Sequence, residues 1–257
     1  MTDVAVGALA GRTVLVTGGS SGIGRAIALA AARAGADVAL TYRANETGGR
    51  EAEREIVGLG RRAVVLRLDL ADVHSVRAVG HAARDAFGRI DAWINNAGAD
   101  ILTGSAASLS TLDKLDLLLR IDLRGTMVAS WEAAEIMGAQ DHGGVIINMS
   151  WDHVLTGMEG RNPQMYSAVK GGILSFSKSL ARSVAPEVRV NILAPGWIET
   201  AFGANLEDER HRAVAESTPL KRWGVPDDVA GAAVFLASPA ASFMTGQMLM
   251  VGGGIVM

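Results

Sequence analysis

The chain contains no cysteine, which excludes disulfides and thiolate metal sites and fits a reducing cytosol. It also lacks an excess of charge of either sign: 24 lysines and arginines face 27 aspartates and glutamates, a net charge of −3. That balance leaves no broad basic surface for nucleic acid or an anionic membrane. No signal peptide is expected, because the stretch from Asp3 to Arg12 has no basic segment followed by a long apolar run. One uncharged stretch, Val229 to Met257, is long enough on paper to span a bilayer. It is interrupted by Ser238, Pro239, Ser242, Thr245, Gln247 and the Gly252-Gly253-Gly254 triplet, and reads instead as a helix end, a loop and a buried strand. A cytoplasmic protein with no membrane span, no nucleic-acid partner and no metal site is expected.

What is present is a globular composition, 49% hydrophobic and 20% charged, over 257 residues, enough for one large α/β domain with an ample core. Short β-branched runs alternate with longer helical patterns. Strands are expected at 12–17, 37–42, 63–68, 90–94, 144–149, 189–193 and 247–251. Helices are expected at 22–34, 72–87, 112–137 and 164–184, with Gly35 terminating the first. Several strand runs are almost continuously apolar, as in a parallel sheet covered on both faces. The alternation predicts a doubly wound, seven-stranded parallel sheet with right-handed crossovers and helices on both faces, in a single domain over 1–257.

Between the first strand and the first helix lies Thr17-Gly18-Gly19-Ser20-Ser21-Gly22-Ile23-Gly24. Glycines there permit a tight turn and close backbone approach to a pyrophosphate. The helix N-terminus then offers free N–H groups and a partial positive charge. The placement after a strand and before a helix is what makes this a nucleotide-binding signal rather than an ordinary glycine-rich turn. Farther on, Tyr166 and Lys170 are four residues apart, so a helix sets them on one face, one turn from each other. A free tyrosine ionises near pH 10, and an adjacent ammonium favours its phenolate, as acid–base work near neutrality requires. Gly171 and Gly172 follow, and a helix tolerates them best where something packs closely.

The spacing T-G-x-x-x-G-I-G resembles that of the classical short-chain dehydrogenases/reductases. So do Asn95-Asn96-Ala97-Gly98 after the fourth strand, Tyr166-x-x-x-Lys170, Pro195-Gly196 after the sixth strand, and Arg222-Trp223-Gly224-x-Pro226-x-Asp228-Val229. The likeness runs from about Gly11 to the C-terminus and is best to 3-oxoacyl-carrier-protein reductases and their relatives. It implies a three-layer Rossmann fold and hydride transfer between a nicotinamide cofactor and a carbonyl or alcohol, with Tyr166 as proton donor. By resemblance Gly18, Ser20, Ser21, Gly22, Ile23 and Gly24 cradle the cofactor phosphates, and Asp69 and Leu70 lie toward its adenine. Asn96, Ala97 and Gly98 line it, with Tyr166, Lys170 and Pro195-Gly196 beside it, and Ile198 and Thr200 meet the nicotinamide amide. At the end of the second strand stands Arg43, with no acid until Glu46. An acid there favours NAD, whereas an arginine can fork onto the 2′-phosphate of NADP, so NADP is expected over NAD.

Two places depart from the family pattern. Asp122 stands where the family has an asparagine, and a carboxylate there would tend to raise the tyrosine pKa. The family's catalytic serine is also missing. Counting back thirteen from Tyr166 gives His153, and counting forward from Asn148 gives Trp151. Ser150 is the nearest hydroxyl in sequence and chemistry, with Asp152 or His153 as alternatives. These departures support a second reading, a dinucleotide-binding redox sensor or scaffold with little catalysis. A substrate lid is expected at about 199–222, with Trp197, Phe202 and Leu206 offering apolar surface to a small-molecule substrate. Apolar Leu117, Leu118, Leu119, Met127 and Trp131 exceed what one sheet face can cover, and relatives pair these helices between subunits, so a homotetramer is expected.

Overall fold

Seven strands lie in one all-parallel sheet, in the order β3-β2-β1-β4-β5-β6-β7. They are β1 (Thr13–Val16), β2 (Asp37–Tyr42), β3 (Ala63–Arg67), β4 (Ala92–Asn95), β5 (Gly144–Met149), β6 (Val188–Pro195) and β7 (Met248–Val251). The coordinates are a computed structural model describing residues 7–200, 203 and 208–257. Parallel strands need crossovers, and helices supply them: α1 (Gly22–Arg33), α2 (Glu46–Gly58), α3 (Val73–Phe87), α4 (Thr111–Leu118), α5 (Gly125–Gly138), α6 (Arg161–Val184), α7 (Asp208–Ser217) and α8 (Pro226–Ala237). One face of the sheet is covered by α1, α2 and α8, the other by α3, α5 and α6. The core is therefore double, and β1, buried at every position, runs between its halves. Every expected strand is present within two residues.

Local chemistry sets the helix ends. Asn45, Asp72 and Ser110 accept backbone N–H groups at the starts of α2, α3 and α4. Gly35 follows α1 at φ +100°, where a side chain would be strained. Among the described residues no helix is long and apolar enough to cross a membrane.

Four expectations change. The strand in the uncharged C-terminal stretch is half-buried rather than buried, because β7 is an edge of the sheet with one neighbour. The helix expected at 112–137 is continuous over 111–138 but contains a π turn at Leu119–Arg124, which α4 and α5 flank. Leu118 is fully buried against Ile101, Met165 and Val169, so it covers the chain's own α6 rather than another subunit. Of the two glycines after Lys170, only Gly172 is closely packed, with Leu123 3.0 Å from where its Cβ would be; Gly171 faces open space.

A buried polar network ties the centre of the sheet to its helices. Asn95 Nδ2 donates to Asn148 Oδ1 at 2.8 Å and Ser130 Oγ at 3.1 Å, while Asn148 Nδ2 donates to Ser177 Oγ at 2.9 Å. The network joins β4, β5, α5 and α6, and every member is essentially inaccessible. Removing one member orphans its partners in a dry interior, at about 1–3 kcal/mol for each group left unpaired. Asn148→Ala should lower unfolding free energy by about 2–4 kcal/mol in urea titrations, and a loss under about 0.5 kcal/mol would contradict the role given to the network.

Candidate active site

A cavity of about 1170 Å³ opens at the carboxyl ends of the strands. It lies where the strand order reverses between β1 and β4, the place where open α/β sheets leave a crevice. Thr17, just past β1, holds the two sides of that crevice together. Its Oγ1 accepts from the N–H groups of Asn96 and Ala97, both at 3.0 Å, and Asn96 Nδ2 donates back to Thr17 O at 3.0 Å. Gly18 and Gly19 are tied to the end of β2 through Thr41.

Gly18, Gly19 and Gly24 of the loop have little or no room for a side chain. Gly18 sits at φ +69°, and a Cβ there would lie 3.1 Å from Ala97; a Cβ on Gly24 would collide with the Gly18 carbonyl. Ser21 precedes α1 without a side-chain cap, so the first N–H groups of that helix have no side-chain acceptor. An uncapped helix N-terminus with bare backbone around it fits the pyrophosphate of a dinucleotide. Arg43, exposed at the cavity wall, forms no ion pair among the described residues, while Asn45 caps α2 and reaches Ser20 O.

Of the residues expected around a cofactor, Gly18, Ser20, Ser21, Ile23, Gly24, Arg43, Leu70, Asn96, Ala97, Gly98, Pro195, Gly196, Ile198 and Thr200 all line this one cavity. Gly22 does not line it; it begins α1 at φ +53°. Asp69 does not line it either. It is exposed, its carboxylate accepts from Ala71 N–H at 2.9 Å, and the turn into α3 holds it.

Tyr166 and Lys170 lie on one face of α6, with the ammonium 5.3 Å from the centre of the tyrosine ring. Asp122 in the π turn completes the group. Its Oδ2 is 3.0 Å from Lys170 Nζ, and its Oδ1 accepts from Ala99 N–H at 2.7 Å. Asp122 and Lys170 are buried, at 1% and 5% exposure, so this ion pair lies in a low dielectric where it is strong. Burial raises the Tyr166 phenol above its ordinary value; the Lys170 charge pulls it down and Asp122 pushes it back up. Burial by itself would lower Lys170, but Asp122 and Tyr166 together outweigh it and hold the ammonium above the usual lysine range.

The third group of the site is where the sequence expectation meets a different geometry. Ser150 lines the cavity, but its hydroxyl donates to the Lys170 carbonyl at 2.9 Å, so its one proton is engaged by α6. Asp152 and His153 do not line the cavity. They are buried and bonded to each other, Nδ1 to Oδ1 at 2.6 Å. Asp152 Oδ2 has no hydrogen-bond partner among the described residues, and burial pushes its carboxyl up against the pull of His153. The side chain facing Tyr166 from this segment is Trp151, edge-on at 5.3 Å between ring centres.

Several lining residues were not expected from the sequence: Asp100, Ile101, Met158, Arg161 and Asn162, whereas Arg210 belongs to the expected lid. The long loop before Tyr166 was the available signal for Met158, Arg161 and Asn162. Trp197 lines the cavity, and α7 closes over one side with Ala213 and Val214. Phe202 and Leu206 lie outside the described residues.

Comparison with known proteins points the same way. A family model described as enoyl-(acyl carrier protein) reductase matches residues 18–256. An L-rhamnose 1-dehydrogenase (NAD(P)(+)) of Sphingomonas sp. (strain SKA58) is 37% identical, covering 96% of this chain and 97% of its own. A 3-oxoacyl-[acyl-carrier-protein] reductase of Vibrio harveyi is 38% identical, over 97% and 99%. Among solved structures, a short chain dehydrogenase from Burkholderia cenocepacia J2315 in complex with NADP superposes with a TM-score of 0.86 at 34% identity, over 96% and 98%.

Proposed function

Because this chain belongs to the short-chain dehydrogenase/reductase family, a family of hydride-transfer oxidoreductases, we propose that it interconverts a carbonyl and an alcohol with NADP(H) as its preferred cofactor. The observation that carries the reading is the Tyr166–Lys170 pair, on one face of α6 and lining the same cavity as the glycine loop. The cofactor, when bound, supplies or accepts the hydride. Tyr166 is the group placed to give a proton to the developing alkoxide. Lys170, buried and charged, steadies the phenolate left behind. Ser150 acts through α6, holding the Lys170 turn against the end of β5. Two relatives named for a sugar and for a 3-oxoacyl group leave the substrate class as carbonyl compounds or their alcohols, within a pocket walled by Trp151, Trp197 and Ile101. The segment around α7 is the proposed lid, and the cytoplasm the proposed compartment.

Tyr166→Phe should lower kcat at least about 100-fold while cofactor affinity stays nearly unchanged, and Lys170→Ala should lose both. A ketone and oxoacyl-thioester panel with single-turnover rates checks this; a Tyr166→Phe enzyme as fast as wild type removes the mechanism.

Cofactor preference rests on Arg43. One charged contact to a phosphate is worth about 1.5–3 kcal/mol, so NADPH should bind at least about tenfold tighter than NADH. Arg43→Ala should erase most of that difference in parallel fluorescence titrations. Equal affinities in the wild type would reject the preference.

A homotetramer is proposed for the assembled state. Leu112, Leu119 and Trp131, 71%, 40% and 52% exposed, leave an apolar strip along α4, the π turn and α5. Light scattering at micromolar protein should give about four times the 26.7 kDa chain mass, whereas a monomer mass would count against it.

A further inference from the structure

The π turn at Leu119–Arg124 carries one ionisable side chain into the interior, Asp122, and aims it at Lys170. A π turn is a costly local departure from the α-helix and marks a position whose side chain must point elsewhere. Here the departure delivers a carboxylate. Oδ2 lies at 3.0 Å from the ammonium and Oδ1 is fixed by Ala99 N–H at 2.7 Å, so both oxygens are held. Gly98 packs directly on the carboxylate, where an added Cβ would come within 2.8 Å of Oδ2. Gly98 and Ala99 thus hold the carboxylate in the wall of the cavity.

The groups facing Tyr166 can be enumerated. Lys170 comes from its own helix, Asp122 from the π turn, and Asp100 from the loop after β4. Asp100 is taken up by Thr103 and by the N–H groups of Leu102 and Thr103. Asp152 and His153, in the turn packed against α6, are bonded to each other, and the His153 ring stacks on Trp151, which meets Tyr166 edge-on. Among the described residues Lys170 is the cation that acts on the phenol, by its charge and by a hydrogen bond, and the Asp122 carboxylate shares it.

We propose that Asp122 is a positioning residue that commits Lys170 to a closed ion pair and so keeps Tyr166 a phenol at neutral pH, setting the site to donate a proton in carbonyl reduction rather than to take one in alcohol oxidation. The proposal rests on the reading of Tyr166 as proton donor. In the reductive direction one proton leaves Tyr166 Oη for the substrate oxygen, and the phenol is ready at any pH below its titration. In the oxidative direction the alcohol proton must go to a phenolate, so the rate falls tenfold for each pH unit below that titration. The overall equilibrium is untouched; what changes is the pH at which each direction runs fast.

The chain has two tyrosines, Tyr42 and Tyr166, which gives a direct test on the free protein. In a Tyr42→Phe background, the near-ultraviolet absorbance of phenolate reports Tyr166 alone. Its midpoint should lie above that of free tyrosine, about 10, or beyond the pH at which the fold is lost. Adding Asp122→Asn should lower the midpoint by at least about one pH unit, a tenfold gain in phenolate, since the ammonium then has no carboxylate partner. Asp122→Ser should move it the same way, which covers a failure of the amide to fold. A midpoint below about 9 with Asp122 intact overturns the proposal without any variant at that position, and so does a midpoint that neither substitution lowers. Should Tyr166→Phe remain active, the functional reading fails whatever the titration shows. Should it be inactive while Asp122→Asn leaves the midpoint in place, only the present inference fails.

Discussion

The junction between the carboxyl ends of β1 and β4 is the constraint on which the site depends. The chain runs to opposite sides of the sheet from these two strands, so a crevice opens between them and cannot be closed by a crossover. Thr17 bridges it with three hydrogen bonds to Asn96 and Ala97 at the floor of the crevice. That bridge brings the glycine loop against Asn96 and Ala97, and the same short segment continues to Ala99, whose N–H fixes Asp122. The glycine loop and the Asp122–Lys170 pair are thereby fastened to one another through a few residues of backbone.

The Asp122–Lys170 pair is a poor source of stability, because two charges withdrawn from water cost about as much as their attraction returns. Its value is geometric. A buried ammonium with one proton directed at a fixed carboxylate has a defined orientation. Ser150 adds to this by holding the carbonyl of the same residue. Lys170 is therefore anchored at both its side chain and its backbone, and the face of α6 that carries Tyr166 is set with it. The polar network of Asn95, Ser130, Asn148 and Ser177 does the same for the strands beneath.

Much of this was legible in the sequence. The seven strands show as short apolar runs because a parallel sheet is buried on both faces, and the glycine loop shows because only glycine fits beside Ala97 and the Gly18 carbonyl. Tyr166 and Lys170 show because four residues is one helical turn. The segment Ser150-Trp151-Asp152-His153 was not legible in the same way. Its residues differ by one position in number yet by a full reversal in direction, since the strand ends there. Ser150 turns to α6, Trp151 to the cavity, and Asp152 and His153 into the interior. No spacing rule holds where periodic structure stops.

By itself the sequence determined the fold class, the order of its elements, the glycine loop and the tyrosine–lysine pair, because each depends on a local period or on a residue type with no substitute. Tertiary structure alone decided that Asp122 meets Lys170, that Ser150 spends its proton on the helix, and that Trp151 faces Tyr166. Those contacts join residues between 15 and 48 positions apart, and their geometry is set by a π turn and a strand end, neither of which has a sequence period to announce it.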